Sequence, residues 1–226
     1  MAYNYLGLVN DVNRRLNEVE LTSANFDAAT GYYSFAKDAV NQALRHIQQE
    51  EFEWPWNHVE ETEQLEAGTG RYSLPYDCKT VNMNTFRIMR DSDLNVGTVK
   101  LRVMNYEEYL DRHVDSEYNS TVGRPEYVIR TPNRELVFYP KPDQDYQVIY
   151  EYFRNGFDLE LYSDIPNLPE QYRYVIIDGA MYNVYQFRGD MQAAQLAFDK
   201  FQLGIKQLRS LHINRTEYIR DKRVRF

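Results

Sequence analysis

The segment from Asn167 to Leu211, NLPEQYRYVIIDGAMYNVYQFRGDMQAAQLAFDKFQLGIKQLRSL, constrains the fold more than any other stretch of this chain. Asn167 is placed to cap a helix, Pro169 suits its first turn, and Glu170 puts a carboxylate near the helix N-terminus. Apolar residues then recur at helical spacing through Tyr172, Val175, Ile176, Gly179, Ala180 and Phe187. A second stripe runs through Tyr174, Ile177, Met181 and Tyr185. A helix apolar on nearly every side is buried on more than one side, so this second stripe is expected at a subunit interface. Gly189 and Asp190 break the helix, with Asp190 placed to cap the next one. That next helix carries a narrower stripe through Ala194, Ala197, Phe198, Phe201, Gly204, Ile205, Leu208 and Leu211. The short break predicts an antiparallel helix pair.

Two more helical patterns stand at the other end of the chain. One covers residues 4–20, with Leu6, Val9, Val12 and Leu16 on its stripe. The other runs from about Tyr33 to Glu51 on Ala36, Ala39, Val40, Ala43, Leu44 and Ile47. After Pro55 the texture changes to short alternating runs: HVEETEQLEAG, GRYSLPYD, TVNMNTFRIMR, TVKLRVM, PEYVIRT, RELVFYP and YQVIYEYF. Turn-forming stretches separate them, among them AGTG, DSDLNVG and KPDQD. One short helix interrupts, NYEEYLDRHV, with Asn105 as cap and Tyr106, Tyr109 and Leu110 on one face.

The fold class expected is therefore α+β. Residues 1–57 and 155–211 form an antiparallel helical bundle, 58–154 an inserted antiparallel β-sandwich or barrel, and 212–226 an extended C-terminal arm. The chain's 226 residues suffice for one core with an inserted subdomain. Tyrosine is abundant, 20 residues against only 2 Trp, which fits both protein–protein contacts and half-buried strand surfaces.

Charge is unevenly spread. Arg209 to Phe226 hold six basic and two acidic residues, a net of +4, while the other 208 residues hold 20 basic and 32 acidic, a net of −12. The arm mixes Arg215, Arg220, Arg223 and Arg225 with Tyr218, Ile219 and Phe226. Arginines alternating with apolar anchors suit docking into a protein cleft better than uniform phosphate binding. At the other pole, Glu50, Glu51, Glu53, Glu60, Glu61, Glu63 and Glu66 occur with no Lys or Arg among them. Six of them, Glu50 to Glu63, are the candidates for an acidic surface that repels a polyanion.

No catalytic, cofactor or metal motif stands out. His46, His58, His113 and His212 lack ligand spacing, the lone Cys78 excludes an internal disulfide and suits a reducing compartment, and glycine-rich phosphate loops are missing. DSDLNVG fails as a calcium loop because Val96 stands where glycine is needed and Arg102 where the bidentate glutamate would be. It reads as a hairpin turn, and the RGD at Arg188 to Asp190 as a capped helix corner. The N-terminus does not read as a signal peptide, and no run approaches transmembrane length.

Three stretches together resemble the head-to-tail adaptor proteins of tailed bacteriophages, the tail tubular protein A-like or tail accessory factor group. They are RYSLPYD (Arg71 to Asp77), RELVFYPKPDQDYQVIYEYF (Arg134 to Phe153) and LPEQYRYVIIDGAMYNVYQFRGD (Leu168 to Asp190). The resemblance implies a structural virion protein at the head–tail junction, assembled in the host cytoplasm as a ring, commonly twelve-fold, beneath the portal. It implies no reaction and no cofactor. The C-terminal arm would dock into the portal, the β-domain would face the tail nozzle or tube protein, and double-stranded DNA would pass through the lumen without sequence-specific binding. Two alternatives stand beside it: a carbohydrate-binding or glycan-degrading tail protein, which would account for the tyrosines, and a DNA-binding protein using the basic tail.

Overall fold

The computed structural model describes residues 3–89, 97–113, 115 and 121–213. The chain is α+β and divides into two compact units: Met1–Trp56 together with Gly156–Phe226, and Asn57–Asn155.

The first unit contains α1 (Tyr5–Arg15), α2 (Tyr32–Glu50), α4 (Tyr174–Phe187) and α5 (Met191–His212). Asn4 caps α1 by accepting the Gly7 N–H at 2.9 Å. The helix ends at Arg15 rather than near residue 20 because Asn17 adopts a left-handed φ of 57°. The whole predicted stripe of α2, Ala36, Ala39, Val40, Ala43, Leu44 and Ile47, is buried. Those side chains share one core with Val9, Val12, Val175, Ile176, Ala180, Phe201, Ile205 and Leu208.

Two glycines set the spacing of the helices. A methyl on Gly179 would sit 2.7 Å from Phe201 Cε2 and 2.8 Å from Ala43 Cβ, and one on Gly204 would sit 2.9 Å from Val175 Cγ2. Gly189 turns the α4–α5 corner with a φ of 78°, and the Asp190 carboxylate accepts the Ala193 N–H at 3.0 Å, so RGD is a capped corner.

Asn167 is not the cap of α4. The chain first makes a 3-10 turn over Glu170–Tyr172, with Pro169 at its N-cap, and α4 starts only at Tyr174. The guanidinium of Arg173 organises this entry by donating to the carbonyls of Leu168 at 2.9 Å, Tyr3 at 3.1 Å and Pro166 at 3.4 Å. Burial lowers its pKa, yet its charge finds carbonyl dipoles and no carboxylate within hydrogen-bond reach among the described residues.

The second unit contains two sheets. One is ordered β1 (His58–Leu65), β9 (Tyr146–Arg154), β4 (Arg87–Met89) and β5 (Thr98–Lys100), with β3 (Cys78–Val81) also on β9. The other is ordered β2 (Arg71–Ser73), β8 (Glu135–Tyr139), β7 (Tyr127–Arg130) and β6 (Arg102–Val103). Neither sheet closes on itself among the described residues, so the barrel alternative falls. Among the described residues the strands pair antiparallel except for β6 and β7, which run parallel, as does the isolated bridge between Val122 and Lys141, a departure from the all-antiparallel expectation. The DSDLNVG turn lies outside the described residues up to Val96, and the strands on either side of it pair antiparallel, Met89 with Thr98 and Arg87 with Lys100.

Alternation explains why β7 and β8 are buried on both faces. Val128, Leu136 and Phe138 enter one cluster with Leu65, Ile88, Val148 and Tyr150 of the other sheet. Ile129 and Val137 point the other way and pack with Tyr109 of α3 (Tyr106–His113). Leu110, expected on the same face as Tyr109, is 37% exposed. A minority of the tyrosines is core material: among the described residues Tyr5, Tyr109, Tyr150 and Tyr152 are buried.

Candidate assembly surfaces

The basic arm has a well-defined root. Arg209 in the last turn of α5 donates to the carboxylate of Glu50 at 2.7 Å and to the Glu50 carbonyl, and its Nε lies 3.8 Å from the Glu51 carboxylate. His212 packs edge-on against Trp56 and Tyr172, with ring centroids 5.5 and 5.2 Å apart. Trp56 in turn stacks on the buried Trp54 at 4.5 Å, and the Trp54 indole donates to the Ile47 carbonyl at 2.8 Å. The C-terminal end of α5 is thereby tied to the C-terminal end of α2. The docking residues read from the sequence, Arg215, Tyr218, Ile219, Arg220, Arg223, Arg225 and Phe226, lie outside the described residues.

The acidic run is split by its surroundings. Glu50 and Glu51 pair with Arg209, and Glu50 also stands 3.2 Å from His46 Nε2. Glu53 is exposed. Along β1 the strand alternation separates neighbours: Glu60 is exposed, whereas Glu61 and Glu63 are half-buried on the face that leads to Leu65. In register they oppose Tyr150 and Val148 of β9, both buried. Burial, followed by the neighbouring Glu61 charge, raises the pKa of Glu63. The same burial, with Glu63 and Glu61 beside it, pushes the Tyr150 phenol far up.

The second stripe of α4 is divided as well. Ile177 and Met181 are buried in the chain's own helical core, at 1% and 4% exposure. Tyr174 is exposed, its hydroxyl donating to the Gln207 side chain at 3.2 Å, and Tyr185 is half-buried against the same core. Of the four, Tyr174 and Tyr185 are the residues that can reach a neighbour. The exposed apolar surface that sequence reasoning missed lies on α5, where Leu196 and Leu203 are 65% and 57% exposed; Leu211, expected on the buried stripe, is 63% exposed because the helix runs past the core at its last turn. Leu196 and Leu203 are separated by two helical turns and so share a face, and that spacing was the available signal.

Burial pushes up the Cys78 thiol pKa, against the pull of Arg134, and a thiol so shifted is a poor nucleophile. Among the described residues no three His, Cys, Asp or Glu side chains are grouped to hold a metal ion. No described helix is long and apolar enough to cross a membrane.

The class of protein follows from the family it matches. The model of the family described as SU10 adaptor protein matches residues 3–225, and the chain belongs to that family. This agrees with the resemblance to phage head-to-tail adaptors and makes the protein a structural component of the virion. No curated protein matches the chain.

Proposed function

We propose that this protein is a ring-forming head-to-tail adaptor that joins the portal to the tail nozzle or tube and forms part of the DNA channel. The observation that carries the reading is the family match across nearly the whole chain. In this reading the helical unit is a bundle, the β-unit a sandwich facing the tail, and twelve copies close the ring.

The arm docks into portal clefts through Arg215, Tyr218, Ile219, Arg220, Arg223, Arg225 and Phe226, a composition rich in residues that anchor interfaces. Its root at Arg209 supports this role, because a docking arm transmits load only if its base is fixed to the folded body. The acidic body favours passage of DNA, since carboxylates facing the lumen repel phosphates and prevent sticking. Glu53 and Glu60 are the exposed candidates for that surface, with Glu61 and Glu63 half-buried beside them and Glu50 and Glu51 engaged by Arg209.

Deletion of residues 214–226 tests the reading. The truncated protein is expected to keep the thermal melt of the full chain and to lose attachment to portal-capped heads in a co-sedimentation assay. Attachment that survives the deletion removes the arm from the portal contact.

A further inference from the structure

We infer that neighbouring copies meet through two different faces of the helical unit: the outer leucines of α5 on one copy and the 157–165 segment on the next. The inference rests on the ring reading above and names the surfaces that close the ring.

Both patches are apolar and held on rigid supports. On α5, Leu196 and Leu203 stand exposed on the side of the helix away from the buried Ala194, Phe201 and Ile205. On the other patch, Leu161 and Ile165 are 59% and 57% exposed. Their segment is no floppy loop. Asn41 brackets Leu159 with two hydrogen bonds, and Arg45 grips the Asp158 carboxylate with two more at 2.7 and 2.5 Å. The backbone N–H groups of Tyr5 and Leu6 donate to the carbonyls of Asp164 and Tyr162. The Asp164 carboxylate accepts the N–H groups of Glu160 and Leu161, both at 2.8 Å. Leucine and isoleucine side chains presented on so constrained a backbone lose little entropy on docking.

α5 and the 157–165 segment meet α2 on different sides. That helix turns Glu50 toward Arg209 of α5 and Asn41 toward Leu159 of the segment. At about 100° per residue, Asn41 and Glu50 are half a turn apart round the helix axis. Contact between unlike patches is heterologous, the geometry that closes into a ring when the rotation between copies permits. An isologous pairing of one patch with itself would stop at a dimer.

Charge fits the same occupant. Lys200 and Lys206 stand one turn either side of Leu203 with no ion-pair partner among the described residues and outnumber the one acid on that face, Asp199, whose carboxylate accepts from the Gln195 amide at 3.0 Å, while Glu160 is exposed beside Leu161. A second copy bringing its 157–165 segment to α5 would set Glu160 against a basic rim, while two α5 faces meeting each other would set Lys206 near Lys206.

Full-length wild type, Leu203→Asp, Leu161→Asp and an equimolar mixture of the two variants, measured by native mass spectrometry with a thermal melt on each, decide the matter. Leu203→Ser and Leu161→Ser replace the aspartates if either melt shows unfolding. Wild type is expected to form rings, each variant alone to stay monomeric, and the mixture to give heterodimers and nothing larger. The heterodimer arises because each variant keeps the patch the other has lost. Rings from either variant alone, or a mixture without heterodimers, overturn the assignment of the faces while the ring reading stands. A wild type that remains monomeric, alone and with the portal, overturns the ring reading and the inference together.

Discussion

Asn41 in α2 binds Leu159 as one strand residue binds another: its Nδ2 donates to the Leu159 carbonyl at 2.9 Å and its Oδ1 accepts the Leu159 N–H at 3.0 Å. The same Nδ2 reaches the Tyr5 hydroxyl at 3.2 Å. Asn10 of α1 does the same for Leu21, with both bonds at 2.8 Å. An asparagine side chain carries the donor and acceptor of a peptide group, so it can satisfy both backbone groups of a buried segment that has no strand to pair with.

Asn41→Ala is expected to cost about 2–3 kcal/mol, because it strands a buried N–H and a buried carbonyl at once. Urea denaturation of the full chain measures this. Asn41→Asp tests the donor alone: it keeps the acceptor for the Leu159 N–H but turns an oxygen toward the Leu159 carbonyl, and destabilisation should be comparable.

Gly179→Ala is expected to destabilise by about 1–2 kcal/mol, although alanine is the better helix former by about 1 kcal/mol. The added methyl meets Ala43 Cβ at 2.8 Å, an atom fixed to the α2 backbone, as well as the Phe201 ring. Gly204→Ala meets only the Val175 side chain, at 2.9 Å, and should cost less. Paired thermal melts rank the two; equal melts would show that α2 moves freely away from α4.

Arg209→Ala removes the link between the ends of α5 and α2 and is expected to cost about 1 kcal/mol, the usual size for a partly exposed charged hydrogen bond. The sharper readout is local. Amide exchange in the last turn of α5 should accelerate while that of α4 is unchanged.

Glu63→Gln should stabilise the β-unit at neutral pH. Burial raises the Glu63 pKa above its ordinary value of 4.5, so the fold favours the protonated form. That favourable term is complete below pH 4.5 and is lost as the pH rises through the raised value. The melting advantage of the glutamine variant should therefore be largest at pH 7 and shrink on acidification. An advantage that is the same at both ends of the range would show that Glu63 is solvated like a free carboxylate.

The helices, the β-rich middle, the corner at Gly189 and the Asp190 cap were all legible in the sequence, because each rests on contacts within a few residues. Periodicity fixes which side of a helix is apolar, and φ-permissive or capping residues fix where it turns. The start of α4 was not legible, since Asn167 looks like a cap until Arg173 gathers the carbonyls of Tyr3, Pro166 and Leu168 and delays the helix to Tyr174.

What only the tertiary structure decided is which neighbour covers each side chain. Ile177 and Met181 share a stripe with Tyr174 and Tyr185, yet two are buried in the chain's own core and two reach its surface. Glu60 and Glu61 are adjacent, yet the strand sends one to solvent and the other toward the Tyr150 side of the sheet. Leu196 and Leu203 are as apolar as Leu208 but fall off its helical stripe, and they are exposed because α4 lies on the other side of α5. A sequence records that a residue is apolar; burial depends on another segment arriving from far along the chain, and that is settled only when the elements pack.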